Sequence, residues 1–161
     1  MDAGAPVYVA VIGAGEAGKD LLAEAEAVGR ALARAGAILV CGGRGGVMEA
    51  ASRGAVEEGG IAVGLLPDGD RGRANPFLTV SVPTGMGELR NGLVARAGDV
   101  VIAIGGEFGT LSEIGFALKL GRPVVGLGTW ALARDGVPVD VIEAAAGPAD
   151  AVSRALARAH R

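Results

Sequence analysis

The residues best placed to do chemistry are the nine from Gly105 to Glu113, Gly105-Gly106-Glu107-Phe108-Gly109-Thr110-Leu111-Ser112-Glu113. They follow Val100 to Ile104, a short apolar run that reads as a fully buried strand, and lead into a helical pattern with core positions Ile114, Leu118 and Leu120. The glycines let the backbone turn sharply and let a ligand come close to it. A helix starting near Thr110 offers unpaired N–H groups and the positive end of its dipole, which suits a phosphate. Glu113 then falls in the first turn, at the rim of that site, and two readings stay open. Thr110-x-x-Glu113 is a capping box, each side chain bonding the other's backbone N–H. Alternatively Glu113 is a chemical group, acting as a base or steadying developing positive charge. Glu107 lines the same pocket or is solvated.

Two further glycine clusters also fall where strands end. Gly13, Gly15 and Gly18 spell G-x-G-x-x-G between a strand and a helix. A dinucleotide site also needs an acidic residue at the end of the second strand, for the ribose. That strand ends at Cys41, and Gly42, Gly43 and Arg44 follow, with no carboxylate. A phosphate or nucleotide loop is therefore favoured over an NAD site, beside the plainer reading of a tight turn. The Gly42-Gly43-Arg44-Gly45-Gly46 loop offers backbone N–H groups and one guanidinium, whose planar fork suits phosphate; otherwise Arg44 is a surface arginine in a flexible turn. Arg90 either faces the same crevice, binding phosphate or steadying a carboxylate, or is a solvated helix arginine.

The elements that must position these residues alternate along the chain. Strands are expected at Val7–Gly13, Ala37–Cys41, Ile61–Leu66, Phe77–Val82, Val100–Ile104 and Val124–Leu127. Helices are expected after Gly18 to about Ala35, Val47–Glu58, Thr84–Ala97, Thr110–Leu120 and Ala149–Arg161. Leu21, Leu22, Ala25, Val28 and Leu32 mark the buried face of the first helix, and Gly36 stops it. Asp68 to Pro76 reads as a mobile surface loop, whose Arg71 and Arg73 close over a ligand or are solvated, and Thr129 to Asp140 as irregular. Strands alternating with helices imply an α/β, Rossmann-like fold: one domain over residues 1–161, with a mostly parallel twisted sheet and helices on both faces. In such sheets ligands bind beyond the strand C-terminal ends, at the switch point, where the three glycine segments can converge.

Composition narrows the function classes. The chain has 161 residues, half of them apolar, 29 glycines and a formal charge of −3. No basic block interleaved with aromatics is present, which argues against nucleic acid as the main partner. No apolar run approaches the roughly 20 residues of a membrane span, and Met1 to Pro6 lacks the basic start of a signal peptide. The single cysteine, Cys41, allows no intrachain disulfide and fits a cytoplasmic location; it reads as a packed apolar residue. The one histidine, His160, is in the tail, so Cys–His or Ser–His–Asp catalysis and a His/Cys metal cluster are not expected.

The segment Gly42 to Ala50 (GGRGGVMEA), the run Gly105 to Glu113, and Glu88-Leu89-Arg90-Asn91 between them resemble one superfamily over about Val7 to Leu127. It contains the LOG proteins, cytokinin-activating phosphoribohydrolases once described as lysine decarboxylases, and the molybdenum-cofactor carrier proteins. In the LOG branch the motif is P-G-G-x-G-T-x-x-E with an upstream Arg-Lys pair. The resemblance matches Arg90 and Glu113 to the residues that support N-glycosidic cleavage of a nucleoside 5′-monophosphate. Ile104 stands where that branch has proline and Asn91 where it has lysine, as in the carrier-protein branch and its bacterial relatives. The resemblance implies a binding protein for a phosphorylated nucleotide- or pterin-like ligand, with the molybdenum cofactor as cargo and no cofactor needed for chemistry. It also implies a homodimer or larger assembly. Ligand contacts are then expected from Gly13, Gly15, Gly42, Gly43, Arg44, Gly45, Gly46, Met48, Arg90, Asn91, Gly105, Gly106, Glu107, Phe108, Gly109, Thr110 and Glu113. The rival reading is a phosphoribohydrolase acting on AMP or cytokinin nucleotides, with Arg90 and Glu113 catalytic; a third is a nucleotide sensor without chemistry.

Overall fold

The structure, a computed structural model, describes residues 4–159. His160 and the end of the expected last helix lie outside the described residues. The strands are β1 (Tyr8–Gly13), β2 (Ile38–Cys41), β3 (Ile61–Leu66), β4 (Val80–Pro83), β5 (Val100–Ile104), β6 (Val124–Leu127), β7 (Leu132–Arg134), β8 (Val137–Val139) and β9 (Ile142–Ala144). The helices are α1 (Lys19–Arg34), α2 (Val47–Glu57), α3 (Asn91–Ala97), α4 (Phe108–Lys119) and α5 (Pro148–Ala159). Seven strands form one parallel sheet in the order β4-β3-β2-β1-β5-β6-β9. The fold is α/β and Rossmann-like, as the alternation of elements implies.

Strand periodicity divides the core into two layers. Val9 and Val11 of β1, with Val100, Ile102 and Ile104 of β5, pack on the buried residues of α1, α2 and α5. Ala10 and Ile12, with Val101 and Ala103, face Val94 and Ala95 of α3 and Ile114 and Ala117 of α4. With both faces covered, the inner strands have no polar side, which is why they read as continuous apolar runs. The chain lays β1 to β4 outward in one direction, then crosses back to place β5 on the other side of β1. The switch point therefore lies between β1 and β5. Their register runs from Val9 opposite Val100 to Gly13 opposite Ile104. The two strands end level, and the turns after them leave the sheet side by side.

Several expectations change. The helix expected over Thr84–Ala97 is shorter: Gly87–Arg90 forms a 3₁₀ turn and α3 begins at Asn91. Gly85 (φ 63°) and Gly87 (φ 58°) are in the left-handed region, which breaks a regular helix there. The strand expected at Phe77–Val82 starts later, at Val80. The Thr129–Asp140 stretch contains a hairpin, β7–β8, turned by Asp135 and Gly136, both at positive φ. That dipeptide is the preferred sequence for a tight two-residue hairpin turn. Strand β9, unforeseen, adds a seventh member to the sheet. Leu120, expected in the core, caps the end of α4 and is exposed. The Asp68–Pro76 loop is tied down. Asn75, buried, donates from its backbone to Gly43 O at 2.9 Å and from its side chain to Arg44 O at 3.1 Å. Within that loop Arg71 donates to Ser81 O at 3.1 Å and Arg73 is exposed. No helix among the described residues is long and apolar enough to cross a membrane.

Candidate functional site

At the switch point the segments after β1 and β5 open a crevice of about 490 Å³, within the range of small-molecule sites. Gly13, Ala14, Gly15 and Glu16 form one wall; Glu107, Gly109, Thr110 and Glu113 of the β5–α4 segment form the other. Met48, Pro67, Glu88, Arg90 and Asn91 complete it. Other cavities of similar size lie at the opposite edge of the sheet, around Asp99 and Arg122, and beneath the β7–β8 hairpin. The crevice differs from them in holding three polar side chains that are more than nine-tenths buried, Arg90, Thr110 and Glu113, two of them ionisable.

Arg90 is placed by the broken helix. Thr84 Oγ1 donates to Leu66 O at 2.6 Å, and the N–H groups of Gly85 and Gly87 donate to Asp68 O and Pro67 O. These bonds fasten the Thr84–Gly87 turn to the end of β3 and carry Arg90 inward. Its Nη1 donates to Asn91 Oδ1 at 3.0 Å, while its Nε is buried with no partner among the described residues. An unpaired buried guanidinium donor is costly unless a ligand satisfies it. Burial lowers the Arg90 pKa, partly opposed by Glu113. The guanidinium lies directly over Gly42: a Cβ there would overlap Nη1 and come within 2.8 Å of the Met48 sulfur. Asn91 in turn donates to Ser112 Oγ at 3.2 Å, and Ser112 donates to Gly109 O at 2.6 Å, tying Arg90 to the first turn of α4.

The capping-box reading of Thr110 and Glu113 is not what the structure shows. Helix α4 begins at Phe108, two residues earlier than expected, with Glu107 as its N-cap and no side-chain cap bond. Thr110 is thus inside the first turn and Glu113 in the second, too far along to cap. The end of α4 is left without a side-chain cap and opens at the crevice, so its N–H groups are available to an anion. Gly106, at φ 105°, packs so closely on Thr110 that any Cβ would collide with it. Glu113 makes no hydrogen bond among the described residues. Burial pushes its carboxyl pKa up to about 8, with Arg90 pulling the other way.

Of the residues expected at the site, Gly13, Gly15, Met48, Arg90, Asn91, Glu107, Gly109, Thr110 and Glu113 line one crevice. Gly42, Gly43, Arg44, Gly45, Gly46, Gly105, Gly106 and Phe108 do not, and most of these serve close packing. Gly43 packs against Leu66 and Gly64, Gly46 against Ala14 and Gly15, and Gly105 against Leu21. The first N–H of α2, that of Val47, is taken by Ala14 O at 3.0 Å. Arg44 pairs with Asp68 at 3.2 Å. Phe108 is exposed and leans on Trp130, whose Nε1 donates to Glu107 O at 3.3 Å. Ala14, Glu16, Pro67 and Glu88 line the crevice without having been expected. Glu16 lies inside the G-x-G-x-x-G segment and Glu88 two residues before Arg90, so adjacency was the available signal. Cys41 is buried beneath the floor, its sulfur accepting from Gly43 N at 3.4 Å; burial raises its pKa.

Comparison with known proteins places this geometry in context. The family model described as LDcluster4, SLOG cluster4 family, matches residues 6–155. An "uncharacterized protein" of Archaeoglobus fulgidus is 41% identical over 121 residues, spanning 75% of this chain and 80% of that one. The molybdenum cofactor carrier protein of Chlamydomonas reinhardtii superimposes with a TM-score of 0.86 at 30% identity, covering 98% of this chain and 100% of that one. The molybdenum cofactor binding protein of the phototrophic bacterium Rippkaea orientalis gives 0.85 at 30% identity, covering 95% and 97%.

Proposed function

The chain belongs to the SLOG cluster4 family, within the superfamily of LOG and molybdenum-cofactor carrier proteins, and on that premise we propose that it binds a small phosphorylated ligand of nucleotide or pterin type, with the molybdenum cofactor as cargo. The observation that carries this reading is Arg90: a buried guanidinium with an unpaired Nε, in the crevice beside the uncapped start of α4. Both features favour a phosphate monoester, one through charge and directed donors, the other through backbone N–H groups and the helix dipole. The structural likeness to two molybdenum cofactor carriers supports the choice of cargo.

The residues present fit such a cargo by its organic part. Among the described residues no three His, Cys, Asp or Glu are grouped to hold a metal ion. Arg90 and the Phe108–Thr110 turn would hold the phosphate, and Met48 and the Gly13–Gly15 wall would enclose the ring. The proposal includes a cytoplasmic location and a homo-oligomer. Purifying the protein from cells that make the cofactor, then assaying molybdenum and oxidised-pterin fluorescence, tests it. Co-purifying pterin and metal that are lost in Arg90→Ala are expected; their absence from the wild type would overturn the choice of cargo.

Glu113 gives a specific reason to keep a second reading, a phosphoribohydrolase acting on nucleoside monophosphates. A buried carboxyl that keeps its proton to about pH 8 can donate it to a departing base. Release of free adenine from AMP by the wild type and not by Glu113→Gln would establish that activity. No free base from any monophosphate would leave the binding reading alone.

A further inference from the structure

The side chains lining the crevice carry an imbalance that a phosphate alone does not explain. Beside the single guanidinium of Arg90 stand four carboxyl groups, those of Glu16, Glu88, Glu107 and Glu113. Many of the chain's other carboxylates are engaged: Glu26, Glu57 and Glu58 with arginines of α1 and α2, Asp68 with Arg44, and Glu143 and Asp150 with arginines of α5. The four in the crevice have no side-chain hydrogen bond or ion pair among the described residues. Three are exposed at the mouth, and Glu113 is only 7% exposed. A purely anionic ligand, such as inorganic phosphate or a sugar phosphate, would share the crevice with these glutamates and offer them no donor. The arrangement suits a molecule with an anion at one end and hydrogen-bond donors at the other.

We infer that the glutamates at the crevice mouth read the donor edge of a 2-amino-4-oxo-pyrimidine ring, the adjacent N–H and NH₂ shared by guanine and pterins, while Arg90 and the α4 N-terminus hold the ligand's phosphate. This rests on the proposed binding function and names the ring chemistry it selects. A carboxylate accepts two parallel N–H bonds from that edge in the same fork geometry it uses with arginine. Adenine presents one donor beside a ring acceptor, whose lone pair faces the carboxylate unfavourably. Hypoxanthine keeps the ring N–H and lacks the amino group, so it forfeits one of the two bonds. Glu113, buried and without a partner, is the second acceptor-bearing group that a bound ring would satisfy.

The test is equilibrium titration of the wild-type protein with GMP, IMP, AMP and inorganic phosphate. The same four are titrated against Glu16→Gln/Glu88→Gln/Glu107→Gln and against Arg90→Ala. GMP is expected to bind about tenfold more tightly than IMP or AMP, with inorganic phosphate weakest, as for loss of one charge-assisted bond. In the triple variant, whose three side chains are exposed and make no hydrogen bond or ion pair among the described residues, the preference for GMP should collapse. Equal affinity for GMP and IMP in the wild type, or a preference that survives the triple substitution, would overturn the inference while leaving the phosphate site intact. Failure of every monophosphate to bind would overturn the inference as well, while the binding function itself is decided separately by co-purification of pterin and molybdenum.

Discussion

Glu113 and Arg90 define the chemistry at the scale of single residues. The Glu113 carboxyl keeps its proton to about pH 8 in the folded chain, because burial disfavours the charged form more than Arg90 favours it. The unfolded chain releases that proton near the ordinary value of 4.5. The folded state therefore binds more protons across this interval. The stability it draws from Glu113 is complete below the lower value and is lost as pH rises through the upper one. Each unit of the interval costs about 1.4 kcal/mol. Urea unfolding of wild type and Glu113→Gln between pH 5 and 9 should show the variant gaining on the wild type as pH rises. A constant difference would mean that the carboxyl is solvated or paired. Cys41 behaves as the sequence implied, a buried thiol, whereas the capping role available to Glu113 disappears because α4 starts two residues early.

Elements decide where those residues stand. The glycine loop after β2 makes room for Arg90, and Gly42 is where a side chain would intrude on it. The atoms a Cβ would meet there are the ends of two flexible side chains, Arg90 and Met48, so the fold can accommodate the change by moving them. Gly42→Ala should therefore lower ligand affinity nearly as much as Arg90→Ala while shifting the urea midpoint little. Large destabilisation with affinity retained would contradict this. Strand and helix order was legible in the sequence wherever an apolar run met a glycine stop, from β1 through α2 and again from Val100 to Leu127. It was not legible in the Thr84–Arg90 segment, where two left-handed glycines override a helical pattern. Nor was it legible in β9, three residues long, whose place is set by pairing with β6 rather than by any periodicity of its own. Arg90 and Glu113, singled out in the sequence, line one crevice beside the α4 N-terminus. Part of its expected lining turned out to be packing glycines, because sequence does not tell a glycine that faces a ligand from one that faces another backbone.

At the scale of the whole molecule, the topology brings the segments after β1, β2, β3, β4 and β5 to one crevice, and α3 and α4 leave apolar side chains open. Leu89, in the turn before α3, is 73% exposed, and Leu93 of α3, Phe116 of α4 and Leu120 at the end of α4 are exposed too. The two helices lie against one another, with Gly92 beneath the Phe116 ring. Exposed apolar side chains of this kind are what the proposed homo-oligomer would bury. Light scattering on the purified chain should give at least a dimer, and Leu89→Glu/Phe116→Glu should shift it to monomer. A monomeric wild type would contradict the proposed assembly. The proposed carrier function depends on one contact: a ligand phosphate on the buried guanidinium of Arg90. Anaerobic equilibrium titration of the molybdenum cofactor into wild type and Arg90→Ala tests it most directly. Saturable binding by the wild type, weakened about tenfold to a hundredfold in the variant, is the predicted result for a lost hydrogen-bonded charge contact; equal affinity in the two proteins would contradict it.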